Sequence, residues 1–184
     1  MSFFPSLPED AGVRHILTLN LEAGRALVAL HTAALRNASS LTPAHKELIA
    51  AYVSGLNACQ YCYGVHSQTA KAFGMGEGVL EALLADVDSS DVEDRLKPLL
   101  RFARKLTLEP TRMTQGDAQA VFDAGWTEAA LRDAVLTVCL FNFMNRLLEG
   151  HGVKGNPGVF NTRGQALHHD GYEPLLAFLD AATQ

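Results

Sequence analysis

Leu41-Thr-Pro-Ala-His-Lys-Glu47 and, after a short apolar run, Val53-Ser-Gly-Leu-Asn57-Ala-Cys59-Gln-Tyr-Cys62-Tyr-Gly-Val-His66 form the stretch that decides how this chain is read. Thr42-Pro43 is a helix start, because threonine caps free N–H groups and proline fits the first helical position. The helix that follows carries Glu47, Leu48, Ile49 and Val53 and is expected to falter near Gly55. Asn57 then reads as the N-cap of a second helix, which takes in both cysteines and stops at Gly74. On that helix Cys59, Cys62 and His66 fall at i, i+3 and i+7 and share one face. Two cysteines so placed have Cα atoms roughly 5–6 Å apart, within disulfide range. His66 lies one turn beyond Cys62 and reaches its sulfur directly or through one water. Glu47, one helix packing away, is placed to hold the His66 ring and its charge. The cysteines occupy the first turn, where unpaired N–H groups and the helix dipole favour a thiolate.

The spacing assigns roles. Cys62, beside His66, is the expected peroxide-attacking thiol, passing through a sulfenic acid. Cys59 closes the disulfide and supplies a proton to the leaving alkoxide. Tyr61, about 100° off the cysteine axis in an ideal helix, is a lesser candidate for a proton donor or orienting hydroxyl. The competing reading is zinc, which needs four ligands; Cys59, Cys62, His66 and Glu47 could supply them, but no second Cys/His pair stands at finger-like spacing. Neither a cofactor nor a metal is expected.

Outward from the motif, nearly every segment has helical period and none alternates as a strand does. Residues 1–8 read as an irregular lead-in. From Pro8 or Glu9 to about Asn37 the pattern is helical, with Ile16, Leu17, Leu27, Leu30 and Leu35 as a buried face and a break at Gly24. A short helix is expected at about 77–86, and a longer one from the Ser90-Asp-Val-Glu93 capping box to about Leu106, with Pro98 bending it or delaying its start. Thr114 opens another, ending at Gly125, and Thr127 caps a long one to about Glu149. The glycine-rich segment 150–171 reads as loop, and Glu173 to Ala182 as a closing helix. Five matches at an offset of 85 residues, Thr42/Thr127 and Asn57/Asn142 among them, hint at a repeat that lacks a second cysteine pair.

The remaining chemistry-bearing residues read as structural. Cys139 is expected to be a small buried hydrophobe, and Trp126, Phe141, Phe143 and Met144 are expected in the core. His15, His31 and His45 have no matched partner, His151 matches His66 in the 85-residue echo but reads as structural, and His168-His169 read as surface. Asn142, Asn145 and Arg146, amid apolar neighbours, are expected to border the thiol pocket or an oligomer interface.

With 184 residues, 48% hydrophobic and 19% charged, the chain has globular composition. A net charge of −5 argues against nucleic acid or anionic lipid as partner. The first residues lack a basic start followed by an apolar run, and no apolar stretch approaches the about 18 residues of a membrane span, so neither signal peptide nor membrane is expected. Three cysteines, an odd number, argue against a secreted disulfide framework and for a reducing cytoplasm.

The motif resembles the alkyl hydroperoxidase D-like branch of the carboxymuconolactone decarboxylase superfamily. Glu47, eleven residues, Cys59-x-x-Cys62, three residues and His66 match its Glu-x11-Cys-x-x-Cys-x3-His signature without a gap, most closely in the "peroxidase-related" subgroup. Leu99 to Val153, with Gly125, Asn142 and Arg146, is also similar, so the resemblance spans roughly 40–155. It implies an all-α multi-helical fold with the cysteines at the start of a central helix. It also implies one domain over 1–184: an N-terminal helical extension (1–40), a motif-bearing core (41–155) and a closing loop and helix (156–184). Cys62 would be the peroxide-reactive thiol, Cys59 its partner and proton donor, and Glu47 and His66 the relay. Hydroperoxide and an external dithiol or thiol-protein would be the partners, and dimers, trimers or hexamers the assembly. A histidine precedes the second cysteine in the best-known members; Tyr61 stands there here, which puts that relay member in doubt. The lactone-cleaving branch lacks the cysteine pair, so decarboxylation is disfavoured. The alternatives are a thiol–disulfide exchange protein without peroxidase activity and a non-catalytic zinc- or redox-responsive oligomer.

Overall fold

The computed structural model describes residues 2–182, and among them the regular structure is helical with no strand. Ten α-helices follow in order: α1 (Val13–Thr18), α2 (Leu21–Leu35), α3 (Pro43–Leu56), α4 (Gln60–Ala72), α5 (Val79–Ala85), α6 (Leu96–Leu108), α7 (Gln115–Asp123), α8 (Glu128–Gly150), α9 (Pro157–Asp170) and α10 (Glu173–Ala181), with a 3-10 turn at Pro110–Arg112. The all-helical expectation holds. No helix among the described residues is long and apolar enough to cross a membrane.

The centre is α3. Its residues from Lys46 to Ser54 are all buried, the mark of a helix enclosed on every side. It packs on α4, α5, α6 and α8, while α4 is sandwiched between α3 and α9. The start of α3 follows the threonine–proline signal: the Thr42 hydroxyl accepts from the His45 N–H at 3.3 Å and Pro43 is the first helical residue. Thr127 caps α8 in the same way, accepting from Ala130 N–H at 3.2 Å.

Several expectations are corrected. The break in the N-terminal helical stretch falls at Asn20, which caps α2 by accepting from the Ala23 N–H, not at Gly24. Gly24 is instead a contact point, since a Cβ there would sit 2.2 Å from the Leu17 carbonyl oxygen. That close crossing rotates α2 so that Val28, His31, Ala34 and Leu35 face inward, while Leu30 is exposed and Leu27 half-buried.

Asn57 does not cap α4. It closes α3, and Ala58 takes the left-handed conformation (φ +52°), with Ala58 N–H bonding Gly55 O and Cys59 N–H bonding Ser54 O, both at 3.0 Å. This is a Schellman closure built without glycine. Cys59 is therefore both the last residue of that turn and the N-cap of α4.

The Ser90 box does not form either. The Ser90 hydroxyl turns back to donate to Val87 O, and α6 begins only at Leu96, with Pro98 in its first turn. The segment 150–171 is loop only over 151–156: α9 starts where Asn156 caps Val159 N–H and Pro157 takes the first position, and it runs to Asp170. Its glycines serve packing. A Cβ at Gly164 would lie 2.5 Å from the Gln68 Cβ, and one at Gly64 of α4 would lie 2.5 Å from the Phe160 ring. Cys139 and Phe143 lie on the outer face of α8 and are exposed, while Phe141, Met144 and Trp126 are in the core.

Candidate active site

The Schellman turn after α3 sets Cys59 at the head of α4 and Cys62 in its first turn, and both thiols are free and buried. They hydrogen-bond each other. That bond and the nearby Cys62 N–H hold the Cys59 thiol below its ordinary value, against burial and the Glu149 carboxylate beside it. Donating that bond, together with burial, pushes the Cys62 thiol well up. The single negative charge the pair carries most readily thus rests on Cys59, with the Cys62 proton aimed at it. Asn145 opposes the rise at Cys62 with a hydrogen bond to its sulfur.

His66 and Glu47 meet where α4 crosses α3. Glu47 is fully buried, and burial alone would raise its carboxyl; the charges and hydrogen bonds of His66 and Arg36 outweigh that and hold it below its usual range. The contacts are Nδ1 of His66 to Oε2 at 2.7 Å, Nη2 of Arg36 to Oε1 at 2.7 Å, and the Tyr172 hydroxyl donating to Oε1 at 3.3 Å. A carboxylate only accepts, so Nδ1 carries a proton whether the ring is charged or neutral, and in the neutral ring Nε2 keeps its lone pair. Burial and the Glu47 charge push the Tyr172 phenol well up, keeping it a neutral donor. No direct hydrogen bond joins His66 to Cys62, which leaves the route through a water; both line one cavity.

That cavity has a volume of about 220 Å³ and largely apolar walls, with Val28, Val65, Phe141 and Leu167 beside the two site residues. Tyr61 is in its wall, edge-on to Phe160 and with its hydroxyl at the Val13 N–H. Burial raises the phenol, so it stays a neutral hydroxyl in the cavity wall. On the far side of the pair, a shallow cleft lined by Gly55, Ala58, Gln60, Tyr63 and Leu84 ends at Cys59.

Spacing did not reveal several members. Arg36 and Tyr172 reach Glu47 from α2's end and the head of α10, and the Arg36 guanidinium also stacks over Phe73 and Tyr172. His31, read as structural, lines the cavity; its Nδ1–H donates to Leu27 O at 2.7 Å, and burial lowers it to about 4. Glu149 stands at Cys59, with one buried carboxylate oxygen unpartnered and an ion pair to Lys154. Asn145 spans Ser54 Oγ and Asn57, and Asn57 in turn bonds Asn142, to which Arg146 donates. Of the expected polar trio, Asn145 thus touches the thiols and the other two buttress it. With both Glu47 oxygens engaged, the four-ligand zinc set has no free carboxylate, and among the described residues no three His, Cys, Asp or Glu side chains gather as metal ligands. His15 and His45 accept from helix-start N–H groups, His151 donates to Leu147 O, and His168 is half-buried against Phe73.

Residues 22–105 match the model of the carboxymuconolactone decarboxylase family. Among solved structures the chain is similar to an uncharacterized peroxidase-related protein from Ralstonia eutropha JMP134, described as an alkylhydroperoxidase AhpD core (TM-score 0.73, 23% identity, 81% of this chain and 78% of that one). It is also similar to an uncharacterized peroxidase-related protein from Silicibacter sp. TM1040 (TM-score 0.75, 22% identity, 83% and 79%). At these identities the likeness establishes the shared fold. No curated protein matches the chain.

Proposed function

We propose that this chain, with its carboxymuconolactone decarboxylase family match over residues 22–105, is a dithiol peroxidase that reduces organic hydroperoxides. The observation that carries the reading is the cavity: Cys62 and His66 open onto one apolar chamber, while Cys59 lies behind, hydrogen-bonded to Cys62. As hydroperoxide enters, the Cys62 proton passes to the Cys59 thiolate. The Cys62 sulfur attacks the terminal peroxide oxygen; an S–O bond forms, the O–O bond breaks, and the sulfur loses two electrons to become a sulfenic acid. The departing alkoxide takes its proton from Cys59 and leaves as the alcohol. The Cys59 thiolate then displaces hydroxide from Cys62, closing the disulfide, and the hydroxide is neutralised to water by a proton that His66, held by Glu47, takes up from solvent at Nε2 and passes on. An external dithiol reduces the disulfide, and the cleft at Cys59 is the side from which it attacks.

The test is stopped-flow loss of free thiol on adding cumene hydroperoxide, in a Cys139→Ser background because Cys139 is exposed. Two thiols per chain should be lost rapidly, and none in a further Cys62→Ser variant. Loss no faster than that of a free small-molecule thiol would sink the reading in favour of thiol–disulfide exchange.

A further inference from the structure

Among the described residues, two guanidinium groups at the cavity have no counter-ion. Arg14 of α1 and Arg163 of α9 both line it, and no ion pair joins either to a carboxylate of a described residue. The Arg14 Nε is buried without a hydrogen-bond partner, although its guanidinium lies over the Phe178 ring at 5.1 Å. Burial and the neighbouring Arg163 charge both disfavour protonated Arg14. Asp170 also borders the cavity but is paired with neither arginine. The Tyr61 hydroxyl, near both arginines, accepts the Val13 N–H and has its own proton left to donate.

Like charges held together, one with a buried orphan donor, raise the energy of an empty site and lower that of a site holding an anion. The rest of the wall is apolar, the arrangement by which pockets bury a hydrocarbon body and fix its orientation with a few polar groups. The size bounds the body: an apolar cavity of about 150 Å³ holds benzene, and this one measures about 220 Å³.

We infer that the cavity takes an acidic organic hydroperoxide, with one aryl ring or a medium alkyl chain on the apolar wall, the hydroperoxide at Cys62 and a carboxylate between Arg14, Arg163 and Tyr61. The inference rests on the peroxidase reading for the peroxide end of the ligand and on the unpaired arginines for the other.

The test separates the two. Binding of 4-(2-hydroxypropan-2-yl)benzoate, the alcohol product of such a hydroperoxide, is compared with that of its methyl ester by calorimetry on the reduced protein. A charge-assisted hydrogen bond predicts that the acid binds about 10- to 100-fold more tightly. The advantage should shrink with added salt, and shrink further in Arg14→Gln and Arg163→Gln. Equal binding of acid and ester by the wild-type protein, or tighter binding of the ester, overturns the anion site, and the salt series decides the matter should the variants fail to fold. Turnover of the matching hydroperoxide pair with dithiothreitol is measured alongside. Acid-selective binding without turnover of either hydroperoxide leaves the anion site standing and removes the peroxidase reading; turnover of both at equal kcat/KM does the reverse.

Discussion

Replacing Glu47 by glutamine should alter both stability and the proton on His66. The amide keeps an oxygen for Arg36 Nη2 and the Tyr172 hydroxyl, but it presents an N–H where the carboxylate faced His66 Nδ1 at 2.7 Å. Nδ1 must then accept, and the ring proton moves to Nε2, so the cavity loses its basic nitrogen. Removing one partner of a buried ion pair costs about 3–5 kcal/mol. Glutamine retains neutral versions of two contacts, so the lower end, about 3 kcal/mol, is expected. Urea unfolding at pH 7 measures the loss, and 15N NMR of the imidazole reports the tautomer. A loss below about 1 kcal/mol with the proton still on Nδ1 would refute the electrostatic account of the site. The acid limb gives a further check. A carboxyl held below its ordinary 4.5 contributes stability above that value and loses it as pH falls toward the depressed one. Glu47→Gln should therefore flatten the stability curve below pH 4.5.

His31 acts in a separate window. It is lowered from 6.5 to about 4, so the unfolded chain binds more protons between these values and the native state loses about 1.4 kcal/mol per pH unit there. Urea midpoints from pH 6.5 to pH 5 should show that slope in the wild type and much less of it in His31→Phe; an unchanged slope rules His31 out as its source. Gly164→Ala brings a Cβ to 2.5 Å from the Gln68 Cβ and 3.0 Å from backbone, and should destabilise by about 1–3 kcal/mol, read as a lower melting temperature together with faster alkylation of Cys59 and Cys62. No change in either would mean that α9 is free to shift. Ala58→Gly relieves the left-handed strain at the turn into α4 and should stabilise by about 0.5–1 kcal/mol in urea; a loss of stability would show that the Ala58 methyl contributes more through contacts than its backbone costs.

The parts of the fold legible in the sequence are those written by neighbouring residues. Thr42-Pro43 and Thr127 start helices because cap and helix lie within a few positions of each other, and the Glu47–His66 pairing follows from two adjacent helices. Asn156-Pro157 carries the same kind of start signal, but the surrounding glycines outweigh it in any reading of composition. Gly164 is there so that α9 can lie against α4, a reason that exists only in three dimensions. Asn57 has the chemistry of an N-cap, yet its amide serves Asn142 and Asn145, 85 and 88 residues on. Tyr172 meets Glu47 across 125 positions and Arg36 arrives from the end of α2, so nothing in the motif's spacing points to either. Cys139 and Phe143 lie in an apolar run whose inward face is taken by Val138, Phe141 and Met144, and periodicity alone does not say which face turns inward.

The contact between α4 and α9 also has a consequence for biosynthesis. The cysteine-bearing helix ends at Ala72, and the helix that roofs it begins only at Pro157. At about 5–20 residues per second on the ribosome, the nascent chain spends roughly 5–20 s with the dithiol made but its cover unsynthesised. During that interval any oxidant in the cell meets the pair without selection by the cavity, so nascent chains stalled before Pro157 should be markedly more prone to premature oxidation than the finished protein.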